Sequence, residues 1–447
     1  MIKPFFYYQT QQINRVLVLG LGISGVSVVD FLITYALEID IFDQNSQNSH
    51  FSIDYQNFDN IELESYDLIV VSPGIPVNKS PFNRLQFHWH NVISDIELFA
   101  LHIAIHNNNR NKRQKVIAVT GSNGKSTVVS LLYHVLKNLG IQAAVGGNIG
   151  IPALNLINKK INVYVLEISS FQIDLLKKAQ FDITVVLNLS PDHLDRYADY
   201  EMYCNVKLGL LARGKYNLIN AKQKSLITEK TYKNLHYFNT EATCINDDKA
   251  VFNNEIFCQQ SEIFLQGKHN LENILAVLLV LDKLMMSLND NKAIIKDAIA
   301  SFNPLSHRCR FIRDFKGIRY INDSKATNIA STEAALIGLG SKDAKNIIVL
   351  LGGLTKGTDF SELLPVLKIY AEKALIYGQD RIQIYQAIVG EVDCVLCENF
   401  DQAFNTGVML ACQNDIVLLS PGCASFDGFS NYVHRGEYFE KLVNELR

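Results

Sequence analysis

Short apolar runs alternate with amphipathic stretches along the chain, and the alternation restarts twice. This pattern is typical of parallel α/β sheets, in which helices cover both faces of apolar strands. It predicts an α/β fold with three domains, at residues 1–94, 95–303 and 304–447. The last boundary is placed at Pro304, because proline breaks regular structure.

The strongest runs give the predicted elements of each domain. The first domain is predicted to contain strands at 15–19, near 41 and at 67–71. The second is predicted to contain helices at 95–105 and 270–285, and strands at 116–120, 162–168 and 183–189. The third is predicted to contain strands at 318–321, 346–351, 374–377 and 415–419. The polar run at 106–115 predicts a solvated loop, since it has no aromatic residue to stack on a base.

Composition and charge exclude several classes of protein. The chain has 447 residues, of which 48% are hydrophobic, so each domain can bury a core. A net charge of −3 supplies no positive field for nucleic acid or an anionic membrane. No apolar run reaches the roughly 18 residues of a membrane-spanning helix, and the N-terminus lacks the apolar core of a secretory signal. We therefore expect a cytoplasmic protein with no nucleic acid partner and no membrane insertion.

The cysteines do not indicate a disulfide framework. The eight cysteines are scattered along the chain. One close pair, Cys394 and Cys397, lies in a predicted strand, and no second Cys/His pair follows it at the spacing of a zinc site. We expect these thiols to be buried and unbridged.

A predicted buried strand leads into a glycine loop in residues 116–127, VIAVTGSNGKST. Glycines let backbone N–H groups turn toward a polyphosphate, and the N-terminus of the following helix adds its positive end. Lys125 is predicted to reach the β- and γ-phosphates, and Ser126 or Thr127 to ligate Mg²⁺. The strict phosphate-loop pattern is not met, because Val119 stands in place of its first glycine. A chance turn is the alternative.

A second glycine loop, GLGISG at residues 20–25, follows the first predicted strand, and Asp43 ends the next one. Such a loop cradles a diphosphate, from either a dinucleotide or a UDP-linked substrate. We favour UDP, because a one-domain nicotinamide-dependent dehydrogenase would not explain the later phosphate loop, and a purely structural turn is the remaining alternative. The SPGIP string at residues 72–76 follows the third strand and is predicted to contact ligand, with a plain turn as the alternative.

Acidic and histidine residues follow two further predicted strands. Glu167 closes one strand, and His193 lies in the string NLSPDHLDRY that closes the next. A carboxylate and an imidazole beside a nucleotide site suit Mg²⁺ held between protein and phosphate oxygens. A structural role at the strand ends is the alternative.

These motifs, in this order, resemble the Mur ligase family of ATP-dependent amide ligases, which belongs with the folylpolyglutamate synthetases. The resemblance runs from Gly20 to Arg435 and rests on the strings GLGISG, SPGIP, TGSNGKST, GGNIG, EISSFQ, PDHLDRY, GKHNLEN, SHR, INDSKATN, LLGG and SPGCASFDGF. INDSKATN and CASFDGF discriminate within the family. They resemble the branch that adds D-glutamate to UDP-N-acetylmuramoyl-L-alanine in peptidoglycan precursor synthesis.

The resemblance implies a Rossmann-like UDP-binding first domain, a central P-loop ATPase-type domain and a Rossmann-like C-terminal domain that binds the amino acid. The residues implied to bind the UDP substrate are Ile23, Ser24, Asp43, Gln44, Gly74 and Asn148. Those implied to bind ATP are Gly121, Ser122, Asn123, Gly124, Lys125, Ser126, Thr127, Asn270, Asn273, His307, Arg308 and Asp323. Those implied to bind D-glutamate are Lys325, Thr327, Lys356, Ser425, Phe426 and Tyr432.

The resemblance also implies a catalytic group of Lys125, Glu167, His193 and Lys207 with two Mg²⁺ ions. Ser126 and Glu167 would ligate one ion, and His193 and Lys207 the other. An ammonium has no lone pair, so the family's carbamylation of this lysine by CO₂ is implied at Lys207. The implied reaction is attack of the substrate carboxylate on the γ-phosphate of ATP, followed by displacement of phosphate by the amine of D-glutamate.

Other functions stay open from the sequence. Another Mur ligase or a folylpolyglutamate synthetase would prefer a different amino acid. A nicotinamide-dependent oxidoreductase would rest on the GLGISG loop. A silent nucleotide-binding regulator is expected to lack Lys125, Glu167 or His193, all of which are present.

Asn270 and Asn273 share one helical face and could instead be surface amides. We expect a monomer.

Overall fold

The computed structural model describes residues 3–8, 10–43, 57–108, 113–192, 196–227, 232–265, 267–284, 287–303, 305–341, 344–355 and 357–447. The chain forms two compact units, Met1–Thr240 with Ala276–Ala298 and Glu241–Leu275 with Ile299–Arg447. None of the helices within the described ranges is long and apolar enough to cross a bilayer.

The first unit begins with an antiparallel hairpin, β1 (Phe6–Tyr8) and β2 (Gln11–Ile13). A parallel sheet follows, with β3 (Arg15–Leu19), β4 (Glu38–Phe42), β5 (Leu68–Val71) and β6 (Val92–Ile93) in the order β4-β3-β5-β6. Helix α1 (Ile23–Leu32) follows β3, and α2 (Asp95–Asn108) follows β6. Strand β5 is buried throughout, as is expected where helices cover both faces of a parallel sheet.

The first unit also contains a second sheet, which is wholly parallel. Its strands are β7 (Lys115–Thr120), β8 (Ala143–Gly147), β9 (Val163–Glu167), β10 (Phe181–Val186), β11 (Gly214–Asn220) and β12 (Leu235–Phe238), in the order β12-β11-β10-β7-β9-β8. Its helices include α3 (Lys125–Asn138), α4 (Ser170–Asp174) and α5 (Tyr200–Leu208). The strand order places the carboxyl end of β7 between those of β9 and β10, the two strands that precede the acidic motifs.

The two sheets of the first unit share one hydrophobic core. Val18 of β3, Phe99 of α2 and Tyr164 of β9 all belong to it, and each is at most 1% exposed. The rings of Phe99 and Tyr164 meet edge to face, with centroids 5.1 Å apart. This shared core fixes the spacing between the loops at the carboxyl edges of the two sheets.

The second unit contains two sheets. The small antiparallel sheet consists of β13 (Cys244–Asn246), β14 (Lys249–Phe252) and β15 (Glu255–Gln259). Helices α6 (Lys268–Lys283) and α7 (Lys292–Ser301) come next in the chain, and their residues within Ala276–Ala298 belong to the first unit. The larger sheet consists of β16 (Arg310–Phe315), β17 (Ile318–Asn322), β18 (Ile347–Gly352), β19 (Ala371–Tyr377), β20 (Cys394–Leu396) and β21 (Ile416–Leu419), in the order β16-β17-β21-β18-β19-β20.

The larger sheet is parallel except for its antiparallel edge strand β16. Helices cover its two faces, and each face has its own core of buried residues. These helices are α8 (Ile329–Leu339), α9 (Leu364–Tyr370), α10 (Arg381–Ile388), α11 (Phe400–Leu410) and α12 (Tyr432–Glu445).

The predicted α/β class is confirmed, and every strand and helix predicted from an apolar run is present. The predicted helix at 270–285 begins at Lys268 and ends at Lys283. The pattern missed the small antiparallel sheet and seven further strands, most of which have short or polar sequences: β1, β2, β6, β8, β11, β12 and β16. Cys394 and Cys397, in and after strand β20, are free thiols as predicted, but only Cys397 is buried and Cys394 is half-buried. Pro304 lies outside the described residues, and the bounds of the three domains stay predictions.

The polar run at 106–115 is not wholly a solvated loop, so this prediction was wrong in part. Helix α2 extends to Asn108 and β7 begins at Lys115. Gln114 is buried, and its side-chain amide donates to the carbonyl oxygens of Asn158 and Ile161 at 2.9 and 2.7 Å. The amide is satisfied inside the protein, which is why a polar residue lies buried here. Residues 109–112 lie outside the described part.

Candidate active site

The loop after β7 has the backbone shape of a phosphate-binding loop. Gly121 and Gly124 have φ angles of 156° and 82°, which side chains rarely adopt. A Cβ on Gly121 would also lie 3.0 Å from the Cβ of Leu187. Gly124 is the N-cap of α3 and has no side chain with which to occupy the helix N-terminus, where an anion is favoured.

Residues beyond β10 hold this loop. The Asn188 side chain accepts from the backbone N–H of Asn123 at 2.8 Å and donates to its carbonyl at 3.0 Å. Ser122 Oγ donates to the carbonyl of Ser190 at 2.9 Å and lies 2.9 Å from the Tyr203 hydroxyl. The side chain of Ser122 therefore supports the loop. Tyr203 had no role in the sequence analysis, because only the fold brings it here.

Lys125 lies folded over the loop that precedes it. Its Nζ donates to the carbonyl oxygens of Gly121 at 2.7 Å and Ser122 at 2.8 Å. The ammonium is thus held at the mouth of the loop, where a phosphate oxygen could take the place of these carbonyls as its partner.

Glu167, at the end of β9, is joined to the first turn of α3. Ser126 Oγ donates to Glu167 Oε2 at 2.6 Å, and Asn148 Nδ2 donates to Glu167 Oε1 at 2.8 Å. The carboxylate is only 3% exposed, so these bonds compensate for its burial. Gly147 permits the close approach of β8, because a Cβ there would lie 2.4 Å from the Glu167 carbonyl oxygen.

The predicted pair of Ser126 and Glu167 has the chemistry that Mg²⁺ requires. A hydroxyl and a carboxylate oxygen lie side by side, and Mg²⁺ commonly takes one or two protein ligands together with phosphate and water oxygens. Within the described residues no group of three or more His, Cys, Asp and Glu side chains could hold a metal alone. His193 lies outside the described residues.

Lys207, on α5, is buried against the same loop and is 2% exposed. Its Nζ donates to the Gly121 carbonyl at 3.0 Å and to Thr120 Oγ1 at 3.4 Å, and lies 5.0 Å from the ring centroid of Tyr203. Burial, and then repulsion from Lys125, hold the pKa of Lys207 well below the usual value for lysine. Its amine therefore loses its proton more readily than a surface lysine does.

The N-terminal glycine loop lies at the carboxyl edge of the first sheet. The backbone N–H of Leu21 donates to the Asp43 carboxylate, so this predicted UDP-binding residue also supports the loop. Gly25 lets α1 approach, because a Cβ there would lie 1.7 Å from the Gly20 carbonyl oxygen. Ile23 and Gly74 are exposed, and Ser24 is half-buried. Gln44 lies outside the described residues.

Arg196, in the segment after β10, is hydrogen-bonded to the SPGIP loop, a role that the sequence analysis missed. Its guanidinium donates to the carbonyl oxygens of Pro73 at 3.1 Å, Gly74 at 3.4 Å and Ile75 at 3.3 Å. It also lies 4.4 Å from the ring centroid of Phe171. Pro73, Ile75, Phe171 and Arg196 line part of a cavity of about 340 Å³. Every residue has a backbone carbonyl, so the sequence could not identify these acceptors. It identified Arg196 only as part of the string PDHLDRY.

Asn270 and Asn273, in the second unit, are not surface amides. They are 9% and 5% exposed, and Asn273 Nδ2 donates to Asn270 Oδ1 at 3.0 Å across one turn of α6. The predicted shared helical face is therefore confirmed, whereas contact with a nucleotide stays a prediction.

His307 and Asp323 lie near each other in the second unit. Asp323 accepts from Ser420 Oγ at 2.8 Å and from the Cys309 N–H at 3.1 Å, and the Lys325 N–H donates to the His307 carbonyl at 3.0 Å. Burial raises the pKa of Asp323 to about 7, and burial lowers the pKa of His307. Arg308 follows His307 in the chain and is half-buried.

Two of the predicted D-glutamate residues meet directly in the structure. Lys325 Nζ lies 3.9 Å from the ring centroid of Tyr432. Thr327 is half-buried, Ser425 is buried and Phe426 is 67% exposed. Lys356 lies outside the described residues.

The raised pKa of Asp323 predicts a pH-dependent stability. A carboxyl whose folded pKa exceeds its unfolded value contributes stability that is lost as the pH rises toward the folded pKa. Between about pH 5 and about pH 7 we expect the unfolding free energy of the native protein to fall by about 2 to 3 kcal/mol relative to Asp323→Asn. Urea denaturation at several pH values measures this difference, and a difference independent of pH would contradict the prediction.

Family models match the three parts of the chain. A Mur ligase MurD-like N-terminal domain matches residues 14–94, the Mur ligase middle domain matches 119–281, and the Mur ligase glutamate ligase domain matches 307–423. The UDP-N-acetylmuramoylalanine–D-glutamate ligase of Francisella tularensis subsp. novicida is 43% identical over 442 residues, which cover 99% of this chain and 98% of that protein. The corresponding ligase of F. tularensis subsp. tularensis strain SCHU S4 is 42% identical over 449 residues, with the same coverage.

Solved structures share the fold at low identity. The MurF ligase of Thermotoga maritima, in complex with ADP, matches with a TM-score of 0.57 and 18% identity, covering 85% of this chain and 89% of that one. The FolC protein of E. coli, in complex with DHPP and ADP, matches with a TM-score of 0.59 and 16% identity, covering 79% and 93%. Because its relatives match along almost its whole length, this chain belongs to the Mur ligase family of ATP-dependent amide ligases, in the group of UDP-N-acetylmuramoylalanine–D-glutamate ligases.

Proposed function

We propose that this protein joins D-glutamate to UDP-N-acetylmuramoyl-L-alanine and converts ATP to ADP and phosphate, in cytoplasmic peptidoglycan precursor synthesis. The observation that supports this most is the group formed by Lys125, the Ser126–Glu167 pair and buried Lys207 at one sheet edge. It occurs in a chain 43% identical to D-glutamate ligases. A nicotinamide-dependent oxidoreductase has no comparable support beyond the GLGISG loop.

In the proposed reaction a substrate carboxylate oxygen attacks the γ-phosphorus of ATP, and the bond to ADP breaks. The amine of D-glutamate then attacks the acyl carbon, phosphate leaves and the amine loses a proton. The first step brings two anions together, so positive charge must offset their repulsion. Lys125 and the N-terminus of α3 supply such charge within the loop.

Mg²⁺, when bound, would supply further positive charge at the phosphate oxygens. Ser126 and Glu167 are proposed to hold one ion, and His193 with carbamylated Lys207 the second. Asn148 holds Oε1 of Glu167, which leaves the orientation of this carboxylate fixed.

Carbamylation of Lys207 is supported by its surroundings. A neutral amine adds to CO₂, which forms an N–C bond, releases a proton and gives an anionic carbamate. The lowered pKa of Lys207 favours the neutral amine. The charge of Lys125, which opposes an ammonium at this position, would favour the carbamate anion.

The remaining binding residues are proposed from the family resemblance. Ile23, Ser24, Asp43, Gln44, Gly74 and Asn148 are assigned to the UDP substrate. Asn270, Asn273, His307, Arg308 and Asp323 join the phosphate loop in binding ATP, and Lys325, Thr327, Lys356, Ser425, Phe426 and Tyr432 are assigned to D-glutamate. A monomeric state is also proposed.

Phosphate release from ATP in the presence of Mg²⁺ and UDP-N-acetylmuramoyl-L-alanine tests the function. We expect release with D-glutamate, and none with L-glutamate or without an amino acid. Lys125→Ala should lower kcat by about a thousandfold, because it removes charge stabilisation of the transition state. Lys137→Ala, on the exposed face of the same helix, is the matched control and should retain activity. Equal release with L-glutamate, or a fully active Lys125→Ala protein, would contradict the proposal.

Lys207→Ala is expected to lower kcat by about a hundredfold, as is typical when a group that orients metal or phosphate is lost. Added short carboxylates should restore part of the activity, because they supply the anion that the carbamate would provide. The same carboxylates should not restore Lys125→Ala. Activity of Lys207→Ala that is near normal, or that carboxylates leave unchanged, would contradict a carbamate at this position.

A further inference from the structure

Arg435, in the first turn of α12, has the largest fully buried side chain among the described residues. Its Nε donates to Ser324 Oγ at 3.0 Å. Its Nη2 donates to the carbonyl oxygens of Ser324 at 2.9 Å and Cys423 at 3.1 Å. One guanidinium therefore bonds two segments that are far apart in the sequence.

Packing alone does not account for this arginine. In the described part of the chain its hydrogen-bond acceptors are neutral and no carboxylate forms an ion pair with it, while the buried hydroxyl of Tyr377 lies close to the guanidinium. Burial raises the pKa of Tyr377, and the charge of Arg435 opposes that rise, which indicates that the cation lies near this buried phenol. Burying an unpaired charge is unfavourable, so an apolar side chain would serve the core better.

The segments that Arg435 joins carry the proposed D-glutamate residues. Ser324 immediately precedes Lys325, and its hydroxyl donates to the carbonyl oxygen of Tyr432 at 2.8 Å. Cys423 lies two residues before Ser425. The Gly422 N–H also donates to the Ala326 carbonyl at 2.9 Å, so the bonds of Arg435 add a second, side-chain link between the loop that contains Lys325 and the loop that contains Ser425.

We propose that Arg435 is a positioning residue for the amino-acid acceptor, holding these two loops at the separation that D-glutamate requires. The inference rests on the proposed function. D-Glutamate has two carboxylates at a limited separation, so groups that bind both must be held at a matching distance. Asp323, assigned to ATP, directly precedes Ser324, but its carboxylate is held by Ser420 and the Cys309 N–H and not by Arg435, so ATP binding should depend less on these bonds. The UDP substrate is assigned to residues of the first unit.

Arg435→Lys tests this role, because lysine keeps the charge but its single nitrogen cannot reproduce the planar set of donors. We expect the KM for D-glutamate to rise by about tenfold or more, since hydrogen bonds from a charged group are lost. The KM values for ATP and the UDP substrate should stay within about twofold, and kcat at saturating D-glutamate within about threefold.

Arg313→Lys is the matched control. Arg313 Nη1 donates to the carbonyl oxygens of Val443, Asn444 and Leu446 at 3.4, 3.4 and 3.2 Å, at the other end of α12. Like Arg435, it donates to backbone carbonyls, but these carbonyls belong to neither the Lys325 loop nor the Ser425 loop. Its replacement should lower the Tm and leave the KM for D-glutamate unchanged.

Ser324→Ala provides the test if Arg435→Lys does not fold. It removes the hydroxyl that joins Arg435 to Tyr432, and the KM for D-glutamate should rise by about threefold or more. If the native protein does not use D-glutamate, the proposed function fails. If it does, and the folded variants keep the native KM or raise all three KM values equally, the positioning role is wrong.

Discussion

The carboxyl edge of the central sheet must hold two lysines and a buried carboxylate close together, and the local structure follows from that constraint. Glu167 is satisfied by Ser126 and Asn148, while Lys125 and Lys207 both donate to the carbonyl of Gly121. Their mutual repulsion is tolerated because one amine is buried and readily loses its proton. The positions of these three side chains depend on the shape of the phosphate loop. That shape depends in turn on hydrogen bonds from Asn188, which follows β10, and from Tyr203 on α5. The strand order that places β7 between β9 and β10 is thus also what assembles the site.

Much of this fold could be predicted because its central strands are continuous apolar runs. Strands such as β5 and β18 are buried on both faces, so their sequences are apolar throughout and predict a strand. The sequences of β12 and the small antiparallel sheet mix polar and apolar residues and form no apolar run. The Ser126–Glu167 pair could also be anticipated, since both residues follow parallel strands at one edge. The contacts of Arg196 and Arg435 could not, because their partners are backbone carbonyls, which carry no sequence signature.

These two arginines suggest a common way of positioning substrate loops. Arg196 bonds three successive carbonyls of the SPGIP loop, and Arg435 bonds the two segments that carry the proposed acceptor residues. In each case a planar guanidinium holds the backbone of a loop through its carbonyl oxygens. The side chains of that loop are then available to bind a ligand. A ligase that must exclude water from an acyl phosphate needs such fixed loops, because a misplaced amine would let hydrolysis compete.

The proposed chemistry is tested most directly by following an oxygen atom. UDP-N-acetylmuramoyl-L-alanine labelled with ¹⁸O in its carboxylate would be converted with ATP and D-glutamate, and the released phosphate analysed by mass spectrometry. If the carboxylate attacks the γ-phosphorus and the amine then displaces phosphate, each phosphate should carry one oxygen from the carboxylate. Product formed with unlabelled phosphate would mean that no acyl phosphate forms, and would contradict the role given to the phosphate loop, Lys125 and the Ser126–Glu167 pair.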